Sequence, residues 1–136
     1  MVEDVPAAQV WEALRGDPAA QLVDVRTDAE WNFVGLPDLI EAGKQAVLIP
    51  WQVYPAMQVN AHFAQHLREA GLTPEHHLYF ICRSGARSLA AARAAQEAGF
   101  PQAYNVADGF EGPPDAAGHR GTVAGWKAAR LPWRQK

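Results

Sequence analysis

Cys82 is the only thiol in this chain of 136 residues, and it stands at the end of the apolar run Leu78 to Ile81. The six residues behind it are Arg83, Ser84, Gly85, Ala86, Arg87 and Ser88. A free thiol ordinarily titrates near pH 8.5 and is only about 3% ionised at neutral pH, so a nucleophilic cysteine needs positive charge and hydrogen-bond donors at its sulfur. The segment carries both. Arg83 and Arg87 supply cations, and Gly85 lets the backbone curl so that successive amides point inward. Ser84 and Ser88 add hydroxyls, and a helix expected to start near Ser88 adds the positive end of its dipole. The pattern predicts a nucleophile beside an oxyanion cradle. A lone cysteine ending a buried strand is more often a small core residue. Two arginines and a glycine directly after it are features a core residue does not need.

The surrounding elements must place this loop where a ligand can reach it. Val10, Trp11 and Leu14 recur at helical spacing, and "GDP" after Arg15 stops that helix. Gln21 to Arg26 is a short strand-forming run. Thr27 and Glu30 have capping-box spacing for a short helix through Trp31 and Phe33. "AVLIP" reads as a strand ending at Pro50, and Asn60 is placed to cap a helix carrying Phe63, Leu67 and Ala70, closed by Gly71. "HHLYFI" reads as a continuous apolar strand, with His76 and His77 themselves read as loop residues that precede it. An alanine-rich helix ends at Gly99, "AYNVA" is a further strand, and a last helical piece is expected around Trp126. Strands alternating with helices predict an α/β fold, with a central parallel sheet flanked by helices on both faces. In such sheets ligands bind outside the carboxyl ends of the strands, where Cys82 falls.

With 49% hydrophobic residues the chain can build one core, and residues 1–136 are read as one domain. Twelve Lys and Arg against fifteen Asp and Glu leave a net charge of −3, with no basic arm for nucleic acid. The start of the chain lacks a signal-peptide pattern and no segment approaches the ~20 apolar residues of a membrane span, so a cytoplasmic protein is expected. His62, His66 and Glu69 share a helical face at a spacing that can ligate zinc. That face lies beside the apolar stripe and reads as solvated, so neither a metal nor an organic cofactor is expected.

The ordered segments "DVRTDAEW", "GLP", "CRSGARS", the Gly99–Phe100 pair and "NVADGFEG" resemble the landmarks of single-domain rhodanese-like sulfurtransferases over nearly the whole chain. The resemblance implies a rhodanese-like sandwich and a catalytic Cys82 that becomes a persulfide. It also implies that Cys82 to Arg87 wraps the transferred sulfur, that Arg83 and Arg87 bind an anionic donor such as thiosulfate, and that a thiol, a protein or cyanide accepts the sulfur. Asp24 and Arg26 match the structural "DVR" landmark. Two departures stand out. "GLPDL" replaces the usual His-Ile-Pro-Gly segment, and an insertion at about 111–122 follows the last strand. Placed at a strand's carboxyl end, that insertion is expected to fold over the site and bring His119 and Arg120 near Cys82. Trp51, after "LIP", is a candidate pocket wall or a core residue.

A cysteine phosphatase or arsenate reductase is the nearest rival enzyme. Its loop places arginine after five intervening residues, whereas Arg87 follows Cys82 after four, a smaller ring better suited to one sulfur atom. A non-turnover sulfur carrier or regulatory module on the same fold is the rival outside enzyme chemistry.

Overall fold

The computed structural model describes residues 2–53 and 56–135. In chain order the elements are β1 (Glu3–Val5), α1 (Ala7–Gly16), β2 (Ala20–Asp24), α2 (Asp28–Phe33), β3 (Leu36–Pro37) and a 3₁₀ turn (Ile40–Ala42). There follow β4 (Val47–Leu48), β5 (Gln52–Val53), β6 (Gln58–Val59), α3 (Phe63–Glu69), β7 (His77–Ile81), α4 (Ala86–Glu97), β8 (Ala103–Val106) and β9 (Trp133–Arg134). Five strands form a parallel sheet in the order β1-β8-β7-β2-β4. Two small antiparallel ribbons, β3 with β9 and β5 with β6, lie outside it.

The strand period of two divides the interior into two cores. Leu78, Phe80 and Cys82 join Val23, Val25, Phe63 and Leu67 on the face covered by α3 and α4. Tyr79 and Ile81 join Leu22, Val10, Trp11, Leu14 and Trp126 on the face covered by α1. A strand buried on both faces must be apolar at consecutive positions, which is why β7 reads as a continuous apolar run. Ala91, Ala92 and Ala95 are fully buried, and these small side chains let α4 lie close against the sheet. Each fully buried Val, Leu, Ile or Phe contributes about 1.5–3 kcal/mol to this double core.

The capping box at the start of α2 forms as its spacing predicts: the Thr27 hydroxyl accepts from the Glu30 amide and the Glu30 carboxylate accepts from the Thr27 amide. Several expectations are corrected. Asn60 does not occupy the cap of α3; its Oδ1 accepts from the His62 amide at 3.0 Å in a turn that precedes the helix. His77 is not a loop residue but opens β7, where its Nδ1 meets Asp17. No helix forms around Trp126. Gly125 and Arg130 both adopt positive φ, and residues 121–130 run as bends and turns. Trp126 is nonetheless fully buried, and its indole donates to the Pro132 carbonyl at 2.7 Å, which anchors the C-terminal segment. Among the described residues no helix is long and apolar enough to cross a membrane.

Candidate active site

Cys82 follows the last residue of β7, and strand alternation turns its sulfur to the side covered by α4. The chain then turns through Arg83, Ser84 and Gly85, whose φ of +115° lies in the region that favours glycine. This turn lets α4 begin at Ala86, two residues earlier than the sequence implies. Cys82 Sγ accepts from the Gly85 amide at 3.1 Å and lies 3.2 Å from Ser88 Oγ. A sulfur anion at this point would meet an aligned amide and the positive end of a helix of 12 residues.

Contacts from the segment after β8 hold the loop from behind. The Phe110 amide donates to the Cys82 carbonyl at 2.8 Å, and the Glu111 and Gly112 amides donate to the Arg83 carbonyl at 2.9 and 3.1 Å. This close approach requires glycine at 109, since a Cβ there would stand 2.5 Å from the Cys82 carbonyl oxygen. Inside the loop, Ser88 Oγ donates to Asn105 Oδ1. Asn105 Nδ2 in turn donates to Asp4 Oδ1 at 2.8 Å and to the Gly85 carbonyl at 3.3 Å. Asp4 was not legible as a site residue, because it sits in a strand of three residues with no motif around it, and Asn105 opens the quoted segment "NVADGFEG" without that pattern naming its partners.

Arg87 Nη1 and Nη2 donate to the two carboxylate oxygens of Glu30 at 2.6 and 2.8 Å. Arg87, expected to bind the donor anion, turns both its Nη groups to an internal carboxylate. Glu30 thus has two duties, capping α2 and latching that helix to α4. Burial disfavours its charge, but the hydrogen bonds and charge of Arg87, with the Thr27 donors, outweigh this and hold its carboxyl below the ordinary 4.5. Glu30 raises Arg87 in return. A carboxyl depressed on folding stabilises the fold above its unfolded value and loses that contribution as pH falls through the lower folded value. The stability difference between wild type and Glu30→Gln is accordingly expected in full at neutral pH and should shrink as pH falls below 4.5 towards the lower folded value. Urea unfolding of both proteins across that range checks this, and parallel curves would reject the latch.

A cavity of about 570 Å³ opens over the sulfur, lined in part by Cys82, Arg83, Arg87, Glu30, Glu111 and Met57. Its walls come from the segments after β2, β4, β7 and β8, the carboxyl ends of four parallel strands. Cys82 is only 1% exposed, yet it lines this cavity, as do Ser84 and Ala86. Gly85 and Ser88 shape it from behind through the sulfur contacts described above. Arg83 is exposed and makes no ion pair among the described residues.

Three expected wall residues lie elsewhere. Trp51 packs edge-on against Phe63 with ring centres 5.2 Å apart, so it belongs to the core. His119 is exposed, and its amide and carbonyl bond Asp115. Arg120 donates to the Gly112 carbonyl at 2.7 Å and braces the insertion internally. Hydrogen bonds among its own residues hold the insertion beside the cavity, and Glu111 at its base is the residue that reaches in. Asp24 and Arg26 are fully buried: Arg26 Nε and Nη2 grip the Asp24 carboxylate, and Nη2 also donates to the Gly35 carbonyl at 2.8 Å. The guanidinium lies 4.3 Å from the centre of the Phe110 ring, and so the pair supports the residue whose amide holds the Cys82 carbonyl. His66 Nδ1 contacts Asn60 Nδ2 at 3.0 Å. Among the described residues no group of three His, Cys, Asp or Glu side chains is arranged to hold a metal.

Residues 3–136 match the family described as the STR4 middle domain. The crystal structure of Rv0390 from M. tuberculosis is similar to this chain at 47% identity, with a TM-score of 0.89 over 99% of this chain and 98% of that one. An uncharacterized protein of Rickettsia conorii is 33% identical over 98% of both chains. The chloroplast protein named thylakoid rhodanese-like, from Oryza sativa, is 32% identical over 95% of this chain, which spans only 24% of that longer protein.

Proposed function

The chain belongs to the rhodanese-like STR4 middle-domain family, and from that membership we propose that it is a sulfurtransferase working through a Cys82 persulfide. One observation carries the reading. The sole thiol of the chain lies at the floor of the cavity, with its sulfur already accepting the Gly85 amide.

The reaction consists of two displacements at sulfur. In the first, the Cys82 thiolate attacks the outer sulfur of a sulfane donor. A bond forms between Sγ and that sulfur, the donor's sulfur–sulfur bond breaks, and the donor remnant leaves with the electron pair: sulfite from thiosulfate, a thiolate from a persulfide. In the second, an acceptor thiolate or cyanide attacks the outer sulfur of the Cys82 persulfide and the thiolate is restored. No net oxidant or reductant enters. The Gly85 amide supplies a donor where charge gathers on sulfur, which is how a preorganised site lowers such a barrier. With no second cysteine to resolve it, the persulfide waits for an external acceptor.

Incubation with inorganic polysulfide should therefore add one sulfur, about 32 Da by intact mass, and cyanide should remove it as thiocyanate, as covalent catalysis requires. Normal turnover by a protein that never carries this mass would overturn the persulfide route and leave direct transfer between bound molecules.

A further inference from the structure

The cavity over Cys82 is poorly matched to a small inorganic dianion. Its lining holds two guanidinium groups, Arg83 and Arg87, and two carboxylates, Glu30 and Glu111, so the charges cancel. Arg87 and Glu30 are already joined by two hydrogen bonds. Among the described residues that leaves one unpaired cation and one further anion facing the space. Among the described residues Arg83 makes no ion pair, and Glu111 makes neither an ion pair nor a side-chain hydrogen bond, although the charge of Lys127 is felt nearby. Lys127 itself is directed elsewhere: its ammonium donates to the Val34 carbonyl and lies 4.0 Å from the Trp133 ring centre. The Glu111 amide bonds the Arg83 carbonyl at 2.9 Å, which joins the two backbones, and both residues line the cavity. Size points the same way. Thiosulfate has five heavy atoms, each of roughly water size, and would occupy on the order of 150 Å³ at water's share of ~30 Å³. The cavity holds about 570 Å³, and Val34 and Met57 add apolar wall.

We infer that the preferred sulfur donor is a small aminothiol persulfide, a molecule that carries an ammonium and a carboxylate beside its sulfur chain. The inference rests on the persulfide reading above and names its substrate class. Glu111 receives the ammonium, Arg83 receives the carboxylate, and Val34 and Met57 contact the carbon skeleton. The donor's outer sulfur then lies over Cys82. The Cys82 thiolate bonds to that sulfur, the donor's sulfur–sulfur bond breaks, and the aminothiolate leaves with the electron pair and takes up a proton from water. Thiosulfate, in contrast, brings two negative charges to a lining with no net charge.

The test loads Cys82 with sulfur and follows the intact mass with time, using cysteine persulfide, its N-acetyl analogue, thiosulfate and inorganic polysulfide as donors. In the wild type, cysteine persulfide is expected to load fastest of the three sulfane donors other than polysulfide. Glu111→Gln should slow cysteine persulfide about tenfold, the loss of one charge-assisted hydrogen bond, and should speed thiosulfate by removing a repelling charge. The rate ratio of cysteine persulfide to its N-acetyl analogue should collapse in Glu111→Gln and return in Glu111→Asp. Arg83→Gln should slow cysteine persulfide and its analogue alike, because both keep the carboxylate. A wild type that loads faster from thiosulfate, or a donor ratio unmoved by Glu111→Gln, would overturn this specificity while polysulfide loading left the sulfurtransferase reading standing. If polysulfide also failed to load Cys82, the sulfurtransferase reading itself would fall and the substrate class with it.

Discussion

Cys82→Ser is expected to lose sulfur transfer by on the order of 10³-fold or more while the protein stays folded. The chemical reason is that a serine hydroxyl is not ionised at neutral pH and cannot hold a transferred sulfur as a persulfide, and the chain has no second thiol to substitute. The structural reason for retained folding is local. Cys82 Sγ accepts from the Gly85 amide and neighbours Ser88 Oγ, and a serine oxygen can serve both contacts. Its backbone carbonyl, which receives the Phe110 amide at 2.8 Å, is untouched. The change should therefore cost no more than about 1 kcal/mol of stability. Intact mass after polysulfide treatment and a thiocyanate assay read the chemistry, and urea unfolding reads the fold. Turnover near the wild-type rate would remove Cys82 from the mechanism.

Asp24→Ala is expected to destabilise the protein by about 3–5 kcal/mol, because it leaves the guanidinium of Arg26 buried without its counter-charge. Both side chains are fully buried, and Arg26 Nη1 already lacks a hydrogen-bond partner, so no spare acceptor stands ready. Against a typical domain stability of about 5–15 kcal/mol this is a large fraction, and a fall in melting temperature on the order of 10–20 °C should follow. The double variant Asp24→Leu with Arg26→Met should recover much of the loss, since removing both charges lifts the desolvation cost that removing one exposes. A single variant as stable as the wild type would show that Arg26 finds another partner or reaches solvent. The same pair supports Phe110, and so partly folded Asp24→Ala should also load Cys82 more slowly than its folded fraction predicts.

The chemistry is concentrated in one loop, and that concentration made it legible. Cys82, Gly85, Ser88 and the arginines are neighbours in the chain, so their cooperation needs only a strand end and a tight turn. The double core was legible for a similar reason: the apolar run of β7 and the helical spacing of Val10, Trp11 and Leu14 are periodicities of single elements. The Thr27–Glu30 capping box likewise spans three residues. Local pattern was a weaker guide near Trp126, where a buried tryptophan among alanines suggested a helix that positive φ at Gly125 and Arg130 prevents.

Tertiary structure decided which charges the site leaves free. Glu30 and Arg87 are 57 positions apart, and no spacing rule joins a helix-capping carboxylate to a cation in the first turn of another helix. Asp4 and Asn105 meet because β1, a strand of three residues too short to leave a periodic signal, pairs with β8 at the sheet edge. The insertion could be located by its composition, but not its direction. Arg120 is retained by the Gly112 carbonyl and His119 by Asp115, and so Glu111, rather than either of them, reaches the cavity. The sequence by itself determined the nucleophile, its cradle and the layered sheet, since each follows from neighbours along the chain. The balance of charge around the sulfur depends on distances between elements far apart in the chain, and only the packed sheet brings those elements together.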